Sequence, residues 1–265
     1  MHCWRDERRS CAAAPANAAG LAGDHARPGL RTGCIALRLR ELREGVELDV
    51  WNERERRVER WQAAQVVLAL PLFVAARLVE QAPAALAAAA AAQRHAPWLV
   101  ANLHCERPPI DRGGAPPSWD NVLYRSPALG YVDAMHQSLR PHPGATVLTA
   151  YWALGGNDAV QAAAARRELL DGAAASWAER VLADLSRAHP DLPRHVRRID
   201  LMRYGHAMSI PVPGLRGHAA LQALARPQRR VHFAHADLAG YSVFEEAFFH
   251  GQRAAADVLR AFSRA

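Results

Sequence analysis

Residues 231–259 read VHFAHADLAGYSVFEEAFFHGQRAAADVL and predict a strand, a loop and a helix in that order. Val231–Ala234 is a short apolar strand, residues 235–241 have the small and polar side chains of a loop, and the helix begins after Ser242. Ser242 and Glu245 have the spacing of a capping box, with the serine as N-cap. One face of the helix carries the apolar side chains Phe244, Ala247, Phe248, Gly251, Ala255, Val258, Leu259 and Phe262.

The start of this helix is a candidate site for negative charge. The first turn of a helix has free backbone N–H groups and the positive end of the helix dipole. These groups stabilise a phosphate or a reduced flavin ring. The alternative is purely structural: Glu245 completes the capping box and Glu246 complements the dipole. The residues alone leave both interpretations open.

The rest of the chain alternates strands with long helices, which predicts an α/β or α+β fold. Residues 32–50 form an alternating hairpin and residues 58–62 return beside it, before the continuous apolar run Val66–Leu70 that is typical of a parallel or central strand. Further helices are expected at 73–81, 84–95 and 158–188, and further strands at Trp98–Glu106, Thr146–Leu154 and Val196–Tyr204.

Composition excludes several function classes. All 33 basic residues among the 265 are arginine, which excludes a Walker A loop, a pyridoxal Schiff base and a lysine general base. The net charge of +7 suggests nucleic-acid binding, but the arginines are intermixed with Asp and Glu in 38–47 and 53–60. Such patterns are typical of solvated faces, and we expect no nucleic-acid partner.

Other motifs fail on spacing. Four cysteines occur without a Cys-x-x-Cys pair, and the groups His232–His235–Asp237 and His104–Glu106 lack the helical pairing of a zinc site, so no metal is expected. Gly240 starts like a hydrolase nucleophile elbow, but Phe244 replaces its closing glycine. None of the 17 glycines lies two residues from another, so the dinucleotide motif Gly-x-Gly-x-x-Gly is absent.

The ends of the chain and its hydropathy suggest a location. No apolar run reaches the roughly 18 residues of a membrane span. Residues 1–30 are expected to form an unstructured leader. Arg8 and Arg9 open a twin-arginine export pattern, but no leucine-rich segment follows them, and we expect a cytoplasmic protein.

The segment from Val231 to Ala247, continued by His250–Ala255, resembles the C-terminal FAD-contacting segment of the flavin-containing amine oxidase family. In that family a strand ends in Phe-Ala-Gly-Asp/Glu, and a helix opening with Met-Glu-Gly-Ala continues to Ser-Gly-x-Arg-Ala-Ala. Ala64–Pro71 is similar to the family's ADxVVxAxP strand, and the resemblance extends over about Arg31 to Phe262.

The resemblance implies an FAD-dependent oxidoreductase that transfers a hydride from a C–N or C–C bond of a small molecule to the flavin. It implies a mixed α/β fold with a partial, Rossmann-like FAD-binding domain built from the discontinuous segments 31–72 and 226–265. A substrate domain with an antiparallel sheet and helices, residues 73–225, would be inserted between them.

The resemblance also places candidate site residues. Ala234, His235 and Ala236 would pass near the ribityl-pyrophosphate chain. The backbone amides of Val243 and Phe244 would face the pyrimidine edge of the flavin, and Glu245 would fix that end of the helix.

Tyr204 and His206 are candidates for the substrate cavity, although Tyr204 is equally well explained as an ordinary strand residue. A proton relay would use water, Tyr204 or His206, so no catalytic residue can be assigned. The aromatic residues of the middle region could line a cavity or belong to the core: Trp98, Trp119, Tyr124, Tyr131, Tyr151 and Trp152.

Three departures from the family pattern qualify this resemblance. The glycine-rich unit that normally holds the pyrophosphate is missing, which suggests a truncated product of a longer reading frame. His235 stands where a glycine is expected, so its side chain must turn away for the backbone to approach a phosphate. No lysine is available near the flavin. The alternative function is therefore a non-catalytic remnant or partner-binding module that no longer binds flavin.

Overall fold

The computed structural model describes residues 3–6, 29–110, 118–139, 142 and 144–263. These described residues form two units, the first from those within 1–14 and 95–208 and the second from those within 15–94 and 209–265. Our predicted boundaries lie at residues 72 and 225, and the assignment of cofactor and substrate to particular segments stays a prediction. Most of the predicted leader, residues 1–30, lies outside the described residues.

The strands are β1 (Cys3–Asp6), β2 (Cys34–Glu41), β3 (Val46–Asn52), β4 (Arg57–Ala63), β5 (Val66–Leu68), β6 (His95–Cys105), β7 (Asp120–Asn121), β8 (Gly130–Asp133), β9 (Thr146–Ala153), β10 (Val196–Ser209) and β11 (Val231–Phe233). The helices are α1 (Leu72–Leu78), α2 (Ala84–Ala92), α3 (Ala159–Asp171), α4 (Ala174–Ser186), α5 (Leu192–His195), α6 (Ala219–Ala225) and α7 (Phe244–Phe262). These elements confirm the predicted mixed α/β fold.

The second unit contains two small sheets. Strands β2, β3 and β4 form an antiparallel sheet, and β5 pairs in parallel with β11. On the antiparallel sheet, Asp49 accepts hydrogen bonds from Arg60 and Arg38, which lower the pKa of its carboxyl to about 2. The charges of this hairpin are therefore paired with one another on the surface, as the intermixed pattern predicted.

The core of the second unit lies between its helices and sheets. Leu39, Leu72 and Leu86 are fully enclosed there, and β11 contributes the buried ring of Phe233. Strand β5 pairs in parallel as its apolar run predicts, but the expected burial on both faces is wrong for it, because Leu68 is buried whereas Val67 is 41% exposed.

The first unit is a six-stranded sheet with the strand order β1-β10-β6-β9-β8-β7. Alternate residues of β6 and β9, such as Leu99 and Leu148, lie in a core shared with α4 and α5. Trp177 of α4 meets Trp152 edge-on with ring centroids 6.4 Å apart, and the guanidinium of Arg180 lies 4.0 Å from the Trp177 ring centroid. The remaining residues of these strands face away from that core.

Several predicted boundaries are corrected by tertiary contacts. The helix expected to reach residue 95 ends at Ala92, because Gln93 turns out of the helix and its side chain donates to the carbonyl of Asp237 at 2.6 Å. The helical block at 158–188 is divided at Gly172, where a Cβ atom would lie 2.7 Å from the carbonyl oxygen of Glu168. Among the described helices, none combines the length and apolar character that a membrane span requires.

Candidate functional site

The segment 231–243 is held at both ends of its loop. The backbone N–H of Ala234 donates to Leu68 of β5 at 2.9 Å, which continues the parallel pairing one residue beyond β11. A single 3-10 turn, Ala236–Ala239, follows and ends at Gly240. Gly240 has φ +82°, and a Cβ atom there would lie 3.0 Å from the Leu215 side chain, so both conformation and packing require glycine.

Asp237 connects this loop to a neighbouring helix. Its carboxylate is completely buried and accepts the N–H of Leu72, the first residue of α1, at 2.9 Å. Because Pro71 precedes that residue and offers no side-chain cap, Asp237 supplies the acceptor that the start of α1 lacks. In the sequence, Asp237 is an isolated acidic residue among small and apolar ones, and we considered it only as a possible metal ligand.

The predicted capping box is wrong. The N-cap of α7 is Val243, which caps nothing with its side chain, and Ser242 instead accepts the N–H of Ser209 at 2.9 Å. The buried hydroxyl of Ser209 donates to the carbonyl of Gly240 at 3.3 Å. The serine pair therefore fixes the loop to the end of β10, because a tertiary partner replaces the local one.

Within the part of the chain that the structure describes, the N-cap residue offers the leading N–H groups of α7 no side-chain acceptor. Val243 is in extended conformation, and its carbonyl receives the first helical hydrogen bond, from Ala247. Glu246, one residue beyond the predicted capping glutamate, accepts the phenol of Tyr241 at 2.8 Å and lies 3.8 Å from Arg216. That hydrogen bond raises the pKa of Tyr241. The first turn is thus stiffened from the side while its amides stay uncapped.

The cofactor candidates lie along this one segment. Ala234 and Ala236 are buried, whereas Val243, Phe244 and Glu245 are exposed. The ring of His235 folds back over the turn, where its Nδ1 atom accepts the N–H of Asp237 at 3.1 Å. This orientation is the one that a backbone approach to a ligand requires of a residue replacing glycine. Contact of these residues with FAD stays a prediction.

The uncapped start of α7 suits one part of FAD. Neutral N–H donors at the positive end of a 19-residue helix match the oxygen-bearing edge of a flavin ring, which becomes anionic on reduction. The pyrophosphate end has no matching donor set, since the sequence contains no Gly-x-Gly-x-x-Gly motif. The described residues therefore fit the flavin end of FAD and not its dinucleotide end.

The side of α7 that contacts β11 and the 3-10 turn is polar. Arg253 donates to the carbonyls of Ala225 and Phe233, which ties the helix to the ends of α6 and β11. Asp257 is buried beside it, with its carboxylate 3.5 Å from Arg253. Burial lowers the pKa of His250 on the same side, and the charge of Arg253 lowers it further.

Tyr204 and His206 lie in the first unit, on β10. Between them, the carbonyl of Gly205 accepts Arg166 Nε at 2.6 Å, and the same guanidinium reaches the carbonyl of His95 at 3.2 Å. This clamp on the helix side leaves Tyr204 and His206 on the opposite face of the strand. Tyr204 donates to the sulfur of Met202 at 3.7 Å, and the His206 ring lies 6.2 Å from the His95 ring.

The aromatic residues of the middle region separate into three groups. Trp152 and Tyr131 belong to the core of the first unit, and Trp119 and Tyr124 are exposed. Trp98 and Tyr151 stack, with ring centroids 6.4 Å apart. Burial first, and then a hydrogen bond to Asp120, raise the pKa of Tyr151 to about 12.

Beside that stacked pair, Thr149 donates to Asn102 at 2.8 Å, on the face of the sheet opposite the core of the first unit. The face of this sheet opposite the core therefore carries partly buried aromatic and amide side chains.

A metal site and a separate cavity are the other features considered for a function. No group of three potential metal ligands occurs among the described residues, and His232, considered for such a site, is hydrogen-bonded to Gln65 at 2.9 Å. A cavity of about 720 Å³ lies against the β2-β3-β4 sheet and is lined by Cys34, Val50 and Trp61 among others, but by no residue of the segment 231–247.

Comparisons with known proteins agree with this architecture. A family model for flavin-containing amine oxidoreductases matches residues 17–259. No curated protein matches the chain in sequence.

Among solved structures, cyclohexylamine oxidase from Brevibacterium oxydans IH-35A has a TM-score of 0.59 at 17% identity, covering 86% of this chain and 48% of its own. Putrescine oxidase bound to putrescine has a TM-score of 0.61 at 16% identity, with coverages of 86% and 48%. At such low identities, the TM-scores show a shared fold alone. The chain spans about half the length of those structures.

Proposed function

The chain belongs to the flavin-containing amine oxidoreductase family, whose cofactor is FAD, and on that premise we propose that it is an FAD-dependent oxidoreductase acting on a small molecule. Amines are the first substrates to consider, because the similar solved structures are a cyclohexylamine oxidase and a putrescine oxidase. The reaction would remove a hydride from a C–N or C–C bond. We propose further that the sequence is a truncated form of such an enzyme, because it has no glycine-rich dinucleotide motif.

The uncapped start of α7 is the observation that carries this proposal. Bound FAD would supply the hydride acceptor, and the amides of Val243 and Phe244 would hold the edge of the ring on which charge accumulates. A hydrogen bond to a charged group contributes about 1.5–3 kcal/mol, and a helix terminus adds about 0.3–1 kcal/mol. Ser242 supports the arrangement indirectly, because its hydroxyl is engaged by Ser209 and does not cap these amides.

Residues on the sheet face opposite the core of the first unit would bind the substrate in this proposal. Tyr204 and His206 share a face of β10, and the Arg166 clamp fixes their strand from the other side. Tyr204 would pack against an apolar part of the substrate. His206 would form a hydrogen bond with a substrate amine through a ring nitrogen.

The first experiment is to record the visible spectrum of the purified full chain and to titrate it with FAD. The proposed enzyme shows the absorption bands of bound flavin, either as purified or after FAD is added. A protein that stays colourless and takes up no FAD contradicts the proposal.

A matched pair of variants tests the role of the helix start. Phe244→Pro removes the first helical N–H at a position where proline is well tolerated, whereas Phe244→Ala keeps that N–H and removes only the ring. We expect Phe244→Pro to weaken binding of oxidised FAD about 5-fold relative to Phe244→Ala, because the oxidised ring is neutral and one hydrogen bond between neutral groups contributes about 1 kcal/mol. Equal affinities for the two variants would show that the amide is not used.

The second candidate function is a partner-binding module that no longer binds flavin. The observation that favours it is the exposed apolar side of α7, where Phe248 and Leu259 face solvent. The FAD titration separates the two functions, because only the enzyme acquires the flavin bands.

A further inference from the structure

Glu246 occupies the position in α7 from which a glutamate side chain can cap the helix. Val243 is the N-cap of α7, so Phe244 is its first residue and Glu246 its third. In a capping box, a glutamate at the third position turns back and accepts the backbone N–H of the N-cap residue. Val243 has the extended backbone of such an N-cap, with φ −134° and ψ 155°. Glu246 is therefore a competitor within the chain for the amide of Val243, which the proposed function assigns to the flavin.

In the structure, the carboxylate of Glu246 is held away from that amide. Its Oε1 atom accepts the phenol O–H of Tyr241 at 2.8 Å. The same oxygen lies 3.8 Å from the guanidinium of Arg216, and Oε2 lies 4.0 Å from Nε2 of His250. Of these three contacts, only the one with Tyr241 is short enough for a hydrogen bond. The phenol of Tyr241 is thus the group that fixes the carboxylate on the flank of the helix.

Tyr241 reaches the carboxylate from a backbone that is fixed on both sides. Before it, Gly240 lies against the buried side chain of Leu215, and its carbonyl accepts the hydroxyl of Ser209. After it, the hydroxyl of Ser242 accepts the N–H of Ser209. The position of the phenol therefore depends on the loop and not on the helix that it contacts.

The position of the Glu246 carboxylate decides what the start of α7 offers to a ligand. On the flank of the helix, it leaves the N–H of Val243 to that ligand. Turned back onto this N–H, it would use the donor itself. It would also place a negative charge beside the edge of a flavin ring that becomes anionic on reduction, and like charges repel.

We propose that Tyr241 is a positioning residue, which keeps the N–H of Val243 available to the flavin by holding the carboxylate of Glu246 on the flank of α7. The inference rests on the proposed function, because it concerns the amides that would bind the cofactor. Without the phenol O–H, Glu246 turns back, caps the helix and competes with FAD.

The first test measures amide hydrogen exchange by NMR in the flavin-free full chain. Tyr241→Phe removes the phenol O–H and keeps the ring. We expect the Val243 amide to exchange about 5-fold more slowly in this variant, which is the ratio that one ordinary hydrogen bond implies. In the double variant Tyr241→Phe/Glu246→Ala no carboxylate is left to form the cap, and the exchange rate should return to that of the natural sequence.

The amide of Ala247 is the internal reference for this test, because it donates to the carbonyl of Val243 within the helix. Fraying of the first turn would accelerate exchange at both amides. An unchanged Val243 rate in Tyr241→Phe, or faster exchange at both positions, overturns the proposal.

The second test titrates the same variants with FAD. We expect Tyr241→Phe to bind FAD about 5-fold more weakly than the natural sequence, because the cofactor must displace the carboxylate. The double variant should bind within about 2-fold of the natural sequence, and so should the matched control Glu246→Ala, since neither contains the competitor. If Tyr241 merely supported the fold, the second substitution would not restore binding. Absence of this rescue, or weakened binding by Glu246→Ala alone, overturns the proposal.

The two tests separate the positioning role from the proposed function. If none of these proteins binds FAD, the proposed enzyme is contradicted, and the exchange rates still decide whether Tyr241 withholds Glu246 from the amide. If the natural sequence binds FAD and Tyr241→Phe matches it in both exchange and affinity, the positioning role alone is overturned.

Discussion

Replacing Asp237 by alanine tests how the candidate site is supported. Its buried carboxylate accepts the N–H of Leu72 at the start of α1, and its own carbonyl accepts the side chain of Gln93. Asp237→Ala removes the first of these bonds and the contact of the carboxylate with His235 Nδ1 at 3.3 Å, whereas the second bond stays because the backbone carbonyl remains. The substitution leaves the Leu72 N–H without an acceptor at the beginning of a helix that has no other side-chain cap.

The largest part of the cost comes from the bond to the Leu72 N–H. An unsatisfied buried donor costs about 1–3 kcal/mol, and loss of a helix cap costs about 1 kcal/mol. These describe the same lost acceptor and are not additive, so we expect Asp237→Ala to lower the free energy of unfolding by about 2 kcal/mol. Asp237→Asn keeps an oxygen acceptor in place and should cost about half as much.

Urea unfolding and hydrogen exchange measure this cost. With a slope of about 2 kcal/mol per molar urea, the Asp237→Ala midpoint should fall by about 1 M. Exchange of the Leu72 amide should accelerate about 30-fold, which is the same free energy expressed as a ratio. An unchanged midpoint, or an asparagine variant as unstable as the alanine variant, would refute the claim that the Asp237 acceptor supports α1.

Three further substitutions test separate features of the fold. Gly240→Ala should lower the free energy of unfolding by about 2–3 kcal/mol. Gly214 is the control, because it has the same φ of +82° but no atom within 4 Å of an added Cβ, and Gly214→Ala should cost only about 1 kcal/mol. Equal losses in thermal unfolding would mean that the contact with Leu215 is unimportant. Because burial lowers the pKa of His250, the unfolded chain binds its proton first, and stability should fall as pH drops below about 6.5, by up to about 1.4 kcal/mol per pH unit. His250→Gln should reduce that slope, and an unchanged pH profile would contradict the assignment. Arg166→Met should cost about 1.5–3 kcal/mol in urea unfolding by removing donors to two carbonyls, and a smaller loss would mean that water replaces them.

The sequence predicted the elements whose periodicity is local. The alternation in residues 32–50 and the apolar run from Val66 became β2, β3 and β5, because the side-chain period of a strand is independent of its partners. Helix ends were less predictable. Gln93 leaves α2 to reach a carbonyl far away in sequence, and no local pattern reports such a bond.

The candidate site shows the same division. The order of strand, loop and helix in 231–262 is confirmed, but the role of each polar residue within it depended on the fold. Ser242 had a satisfactory local explanation as an N-cap, and yet it accepts from Ser209 at a distance of 33 residues in sequence. Asp237 had no local explanation, and its partner is 165 residues away. Short motifs specify what a side chain can do, while tertiary structure selects which of those bonds is made.

Helix α7 explains why amphipathicity alone does not predict which side of a helix is buried. Its inner surface must meet the carbonyl ends of β11 and α6, which need hydrogen-bond donors, and Arg253 supplies them. A polar side is therefore directed inward, with Asp257 beside the guanidinium. The apolar side is left outside, where the hydrophobic effect favours a contact that the described residues do not make with one another.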